Sequence, residues 1–333
     1  MARAASLLGI FALCAVSVSG ALAAASGDPI ESNNLTSDIR TIRAVFETPD
    51  NALDLATAKL TFDKLVDPSI DVDRTLRQID QMVQVVKTMA GPNPTTIQKL
   101  TAVRRFIYVD GDWNGHRPFQ YDMTDPLGKK IIDKLLPTYI ETRRGNCVSM
   151  PILFIILANR LGVHVTASTA PFHVFAKFID DATGKTYNLE TTSGAFPARD
   201  AWVRQNFPMS DLAIKNGIYL KTLTKKETVA VMAEIVLEHD MAEGRWQEVI
   251  DAADVILKYY PHFVNAMLDH GTAAAMLMDT EIKRKYPTLN DVPADLLPRY
   301  ILLDDQNHAD FAKAEALGWR ETDGITPTAP STA

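Results

Sequence analysis

The sequence predicts an α+β protein: a helix bearing a cysteine, packed on an antiparallel sheet, with an all-α C-terminal module. Three observations carry that prediction. Residues 151–161 form a mostly apolar run of helical length just after Cys147. The period then drops to two over residues 163–166, 173–178 and 185–189, which is the alternation of strands. From Thr224 onward the three-and-four spacing of helices returns.

The composition narrows the function classes. The 333 residues are 47% hydrophobic and 23% charged, which excludes disorder, collagen and coiled coil for the bulk of the chain. Lysine and arginine number 34 against 41 aspartate and glutamate. A net charge of −7 gives no basic footprint for a nucleic acid, so none is expected as a partner. Two cysteines, Cys14 and Cys147, exclude a disulfide scaffold and a four-cysteine zinc site. His116, His164, His239, His262, His270 and His308 show no pair four apart around a glutamate, so neither metal nor cofactor is predicted.

Residues 1–24 read as a secretory signal peptide: Arg3, a short apolar run, then Ala21-Leu22-Ala23. The run is shorter than the roughly 20 residues of a spanning helix, so no stable membrane insertion is expected after cleavage. The predicted location is outside the cytoplasm, in a bacterial periplasm. Cleavage leaves Cys147 as the lone cysteine in an oxidising compartment, where an unpaired thiol is either buried or reactive.

Residues 25–38 are polar and read as a linker. Residues 39–222 read as one domain with N-terminal helices. Val72, Leu76, Ile79, Val83 and Val86 mark an amphipathic helix that Gly91-Pro92 ends, and Ile97, Leu100, Val103 and Ile107 mark a second. Residues 109–128, rich in Gly, Asp, Asn and Pro, read as loop. Gly184-Lys185-Thr186 has the look of a phosphate-loop end, but Ile179 stands where the first glycine is required. Residues 223–320 read as a helical module. In it Gly244, Trp246 and Pro261 resemble one tetratricopeptide repeat, with Trp246 buried. Met232, Met241, Met267, Met276 and Met278 read as core, or else as an adaptable groove for a protein partner. The Thr/Pro/Ala-rich tail, 321–333, reads as disordered.

Arg143-Arg144-Gly145-Asn146-Cys147 stands ahead of the apolar helix. The helix start and the two arginines set positive potential at the sulfur, the setting of reactive cysteines. Pro151 leaves the Cys147 carbonyl without its helical partner. A thiol nucleophile needs a base that titrates near neutrality, and His173 opens a strand after Ala170-Pro171-Phe172. Pairing Ile179 with Gly184 across the turn 180–184 sets His173 directly opposite Glu190, with Asn188 on the same face. Cys147, His173 and Glu190 thus form a candidate Cys-His-carboxylate triad, with Asn188 as the alternative orienter.

The blocks Arg144-Gly145-Asn146-Cys147, Asn159-Arg160-Leu161-Gly162-Val163, Phe172-His173-Val174 and Tyr187-Asn188-Leu189-Glu190 resemble the transglutaminase-like superfamily, a branch of papain-like cysteine enzymes. Asp125-Pro126 and the tetratricopeptide-like tail are similar to its Sir-type bacterial members. The resemblance covers residues 50–275. It implies a papain/transglutaminase-like core, Cys147 as nucleophile, His173 as base and Glu190 in place of the family aspartate. The implied reaction is acyl transfer at an amide of a protein or peptide, of peptidase, amidase or protein-glutamine acyltransferase type. The Cys147 N–H would be one oxyanion donor, and Gln120 or Trp113 the second. Two departures stand out. Glu190-Thr191 occupies the place of the family Asp-Pro, and many Sir-type members lack the cysteine. The alternative is therefore an inactive scaffold that holds a protein partner through its helical module.

Overall fold

The structure is a computed structural model and describes residues 36–324. The expected signal segment, most of the expected linker and residues 325–333 of the expected tail lie outside the described residues.

The chain begins with helices α1 (Ser37–Glu47), α2 (Leu55–Val66), α3 (Val72–Ala90) and α4 (Thr96–Tyr108). Each starts at a side-chain cap: Thr36, Asp54, Asp71 and Thr95 accept from backbone N–H groups of the first turn. Thr95 and Gln98 make a full capping box. The helices α3 and α4 are those the apolar spacing predicts. In α2 the inward face carries Lys59 and Asp63, both fully buried and ion-paired to each other. The other oxygen of Asp63 accepts the Leu136 N–H at 2.8 Å. That bond fastens α2 to the start of α5 (Leu136–Thr142).

Strand β1 (Gln120–Tyr121) runs parallel to β2 (Arg144–Gly145), within and beside the predicted loop. The helix α6 (Ser149–Arg160) is buried from Ser149 to Ala158 and packs on the main sheet. That sheet is an antiparallel meander of β3 (Val165–Ala170), β4 (His173–Asp180), β5 (Lys185–Glu190) and β6 (Phe196–Ala198). All of β3 and the first six residues of β4 are buried, because α6 covers one side and C-terminal helices cover another.

The register differs from the sequence expectation. Ile179 pairs with Thr186 and Asp180 with Lys185, so the turn is 181–184. Gly184 takes φ +67° there and donates its N–H to the Asp180 carbonyl at 2.7 Å. This slides β5 by two residues along β4, and extending the ladder sets Glu190 beside Phe175. His173 and Glu190 are diagonal neighbours instead of direct partners. A slip of two preserves the face, so both still point the same way.

After α7 (Asp200–Asn206) and α8 (Asp211–Lys215) come the long helices α9 (Lys225–Ala242), α10 (Trp246–Tyr259), α11 (Val264–Met278) and α12 (Leu297–Leu317). Thr224 and Glu227 box the start of α9. This helix packs on α2 and β3, while α10 packs on α1 and α12 lies along α11. Met232, Met267 and Met278 are buried in this packing. Trp246, expected inside, is only half-buried at the head of α10, beside the α9–α10 turn. No helix among the described residues is long and apolar enough to cross a membrane.

Candidate active site

The Arg-Gly-Asn-Cys block is folded by its asparagine. Asn146 Oδ1 accepts the N–H groups of Val148 (3.0 Å) and Ser149 (3.2 Å), and its carbonyl accepts that of Met150. The hydrogen bonding of α6 thus reaches back to Asn146, and Cys147 sits in that capped entry turn. Gly145 cannot be larger, since a Cβ would lie 2.5 Å from the Tyr139 ring and 2.6 Å from Ser149 Oγ.

The base arrives through a two-residue turn. Ala170 pairs with His173, and between them Phe172 takes φ +54°, a conformation uncommon for a bulky residue. Its side chain is 79% exposed, while its carbonyl oxygen lies 3.8 Å from Cys147 Sγ. His173 is buried, with its ring stacked on Phe207 at 4.2 Å between centroids. Its Nε2 lies 2.8 Å from Glu190 Oε2. The other Glu190 oxygen accepts the Thr192 N–H (3.0 Å) and hydroxyl (2.6 Å), so the carboxylate is fixed. The diagonal register explains the acid's length: diagonal Cβ atoms stand about 7–8 Å apart, a span suited to the longer arm of glutamate.

The electrostatics follow from these contacts. Burial by itself would lower the His173 pKa, but hydrogen bonds with Cys147 and Glu190 outweigh it and raise the value to about 9. Glu190 is likewise buried, yet its bonds with His173 and Thr192 hold its carboxyl below the ordinary value. An imidazolium bonded to a carboxylate in the cavity of a thiol is the setting of a nucleophilic relay. The Tyr121 phenol, partly buried and near Cys147, is pushed up to about 12 and donates to the Pro126 carbonyl.

Other sequence candidates are placed elsewhere. Asn188 does not orient His173: its Nδ2 donates to Asp200 at 2.6 Å and to the Ala198 carbonyl at 3.2 Å. Trp113 is committed through Nε1 to the Arg105 carbonyl at 3.2 Å, under the Arg105 guanidinium. Gln120 is an exposed residue of β1. Neither of these two lines the cavity of about 170 Å³ that holds Cys147 and His173. Sequence reasoning missed Thr192, Phe207 and the role of Asn146. Thr192 alone carried a local signal, being two residues after a carboxylate.

Residues 73–196 match the Transglutaminase-like superfamily. The chain is also similar to a UPF0162 protein of Xylella fastidiosa, 22% identical over 265 residues, which cover 78% of this chain and 87% of the relative. No solved structure matches the chain. The matched segment is the one that supplies Cys147, His173 and Glu190.

Proposed function

We propose that the protein is a cysteine-dependent acyl-transfer enzyme acting on amide bonds. The observation that carries this reading is the buried His173, bonded at Nε2 to Glu190 and sharing one cavity with Cys147. Cys147 attacks the amide carbonyl, forming a C–S bond, and the Cys147 backbone N–H faces the developing oxyanion. The His173 imidazolium gives its proton to the leaving nitrogen as the C–N bond breaks, leaving a thioester. Water or an amine then attacks the thioester, His173 takes its proton, and the thiol returns. Glu190 holds the ring orientation and balances its charge throughout. The apolar run and Ala-x-Ala end of residues 1–24 support export to the periplasm as part of the same reading. The test is alkylation of the folded protein by iodoacetamide below pH 7, followed by intact mass. Prompt modification of Cys147 is expected. A thiol that reacts only after denaturation contradicts the proposal.

A further inference from the structure

The cavity beside Cys147 carries a second chemistry. Its lining includes Lys134, Glu234, Glu238 and Asn265 along with Cys147 and His173. Glu234 and Glu238 stand one turn apart on α9, so they share a face. Lys134 Nζ bonds Glu238 Oε2 at 2.5 Å, and Asn265 Nδ2, from the first turn of α11, donates to Glu234 Oε1 at 2.6 Å. Asp269, one turn further along α11, adds a third carboxyl whose charge opposes theirs. Lys134 is thus taken by Glu238, and the partner of Glu234 is a neutral amide. Burial, then repulsion from Glu238 and Asp269, pushes Glu234 up to about 8, and burial with Glu238 pushes Asp269 up to about 7. The group is short of positive charge.

An independent observation lies at another wall of the same cavity. Asn146 is 1% exposed, its Oδ1 is taken by Val148 and Ser149, and its Nδ2 has no partner. Nδ2 rests against Gly128, where a Cβ would approach it to 3.4 Å, and both residues line the cavity. A buried donor without an acceptor costs stability unless something satisfies it. A ligand that answers both walls carries a carbonyl oxygen and a cation.

We infer that the cavity selects peptide substrates with a lysine or arginine beside the amide presented to Cys147, the cation seated at Glu234 and Glu238 and a peptide carbonyl on Asn146 Nδ2. This rests on the proposed role of Cys147 and names the substrate class for it. A cationic side chain seated there would supply the counter-charge that lets Glu234 ionise, and a charge-assisted hydrogen bond would hold it.

Two peptidyl chloromethyl ketones, identical except for lysine or norleucine next to the ketone, test the inference on the full chain. Intact mass follows the adduct at Cys147, with iodoacetamide as an undirected reagent alongside. The lysine reagent is expected to react about tenfold faster than the norleucine one, the scale of a single charged contact. Glu234→Gln and Glu238→Gln are each expected to shrink that ratio toward one. The wild-type ratio needs no variant to fold. Equal rates for the two ketones, with iodoacetamide still modifying the folded protein, overturn the inference and leave the nucleophile standing. A ratio untouched by both substitutions overturns it as well. Failure of all three reagents on the folded chain overturns the proposed function, and the inference falls with it.

Discussion

Two buried histidines of this protein are electrostatic twins. His173 faces Glu190, while His270 on α11 faces Asp310 at 2.5 Å through Nδ1 and Asp254 at 3.5 Å through Nε2. In each, burial opposes the charged ring, hydrogen bonds to acidic or thiol partners overcome it, and the pKa rises to about 9. What surrounds them differs. His173 stands in a cavity that Cys147 also lines; the partners of His270 are carboxylates of α10 and α12, which it ties to α11. A perturbed pKa therefore does not mark a site by itself. The neighbouring nucleophile and the open space do.

Substitutions should separate the twins. The largest effect is expected for Cys147→Ala, which should remove thiol acylation and turnover entirely while changing stability by only about 1 kcal/mol, read by urea denaturation beside an activity assay. Glu190→Gln should slow acylation by about 10² or more, because the imidazolium loses its counter-charge. Asn188→Ala, whose side chain serves Asp200, should change the rate far less; if it proves the crippling variant instead, the orienter is misassigned. His270→Ala should leave acylation intact and cost about 1–3 kcal/mol of stability through the unpaired Asp310. A loss of acylation with unchanged stability would reverse the two histidines' roles.

The pH dependence is shared and can be divided. Both rings have folded pKa values of about 9, above the ordinary 6.5. The stability they lend is therefore complete below about pH 6.5 and lost as pH rises through about 9. Denaturation midpoints should fall over that window in wild type and less steeply in His270→Ala. Turnover should also fall through about pH 9, where His173 loses the proton it gives to the leaving nitrogen. The smallest effect is expected at Trp246: half-buried, its alanine variant should cost about 1 kcal/mol, read as a denaturation midpoint. A shift several times larger would mean that the indole anchors the α9–α10 turn.

The contrast also locates what a sequence can disclose. The helices α3 and α4 were legible because one face is apolar and the other polar. Helix α2 was not, since Lys59 and Asp63 occupy its inward face and satisfy each other there. Helix α12, with few buried residues along its length, shows no strong apolar stripe to read. Cys147, His173 and Glu190 could be selected although the strand register was displaced by two, because side-chain facing depends on parity and survives an even slip. Asn188 shared that parity and was indistinguishable until its bond to Asp200 was seen. The carboxyls of α9 and the amide of Asn265 on α11 reach the cysteine's cavity only through long-range packing, for which no local spacing gives a sign.

The most direct measurement is the rate of iodoacetamide alkylation of Cys147 in the folded protein at pH 6, compared between wild type and Glu190→Gln. If His173 and Glu190 form a relay with the thiol, wild type reacts promptly and the variant about 10² more slowly. Equal rates in the two proteins, or a wild-type thiol that reacts only once unfolded, would contradict it.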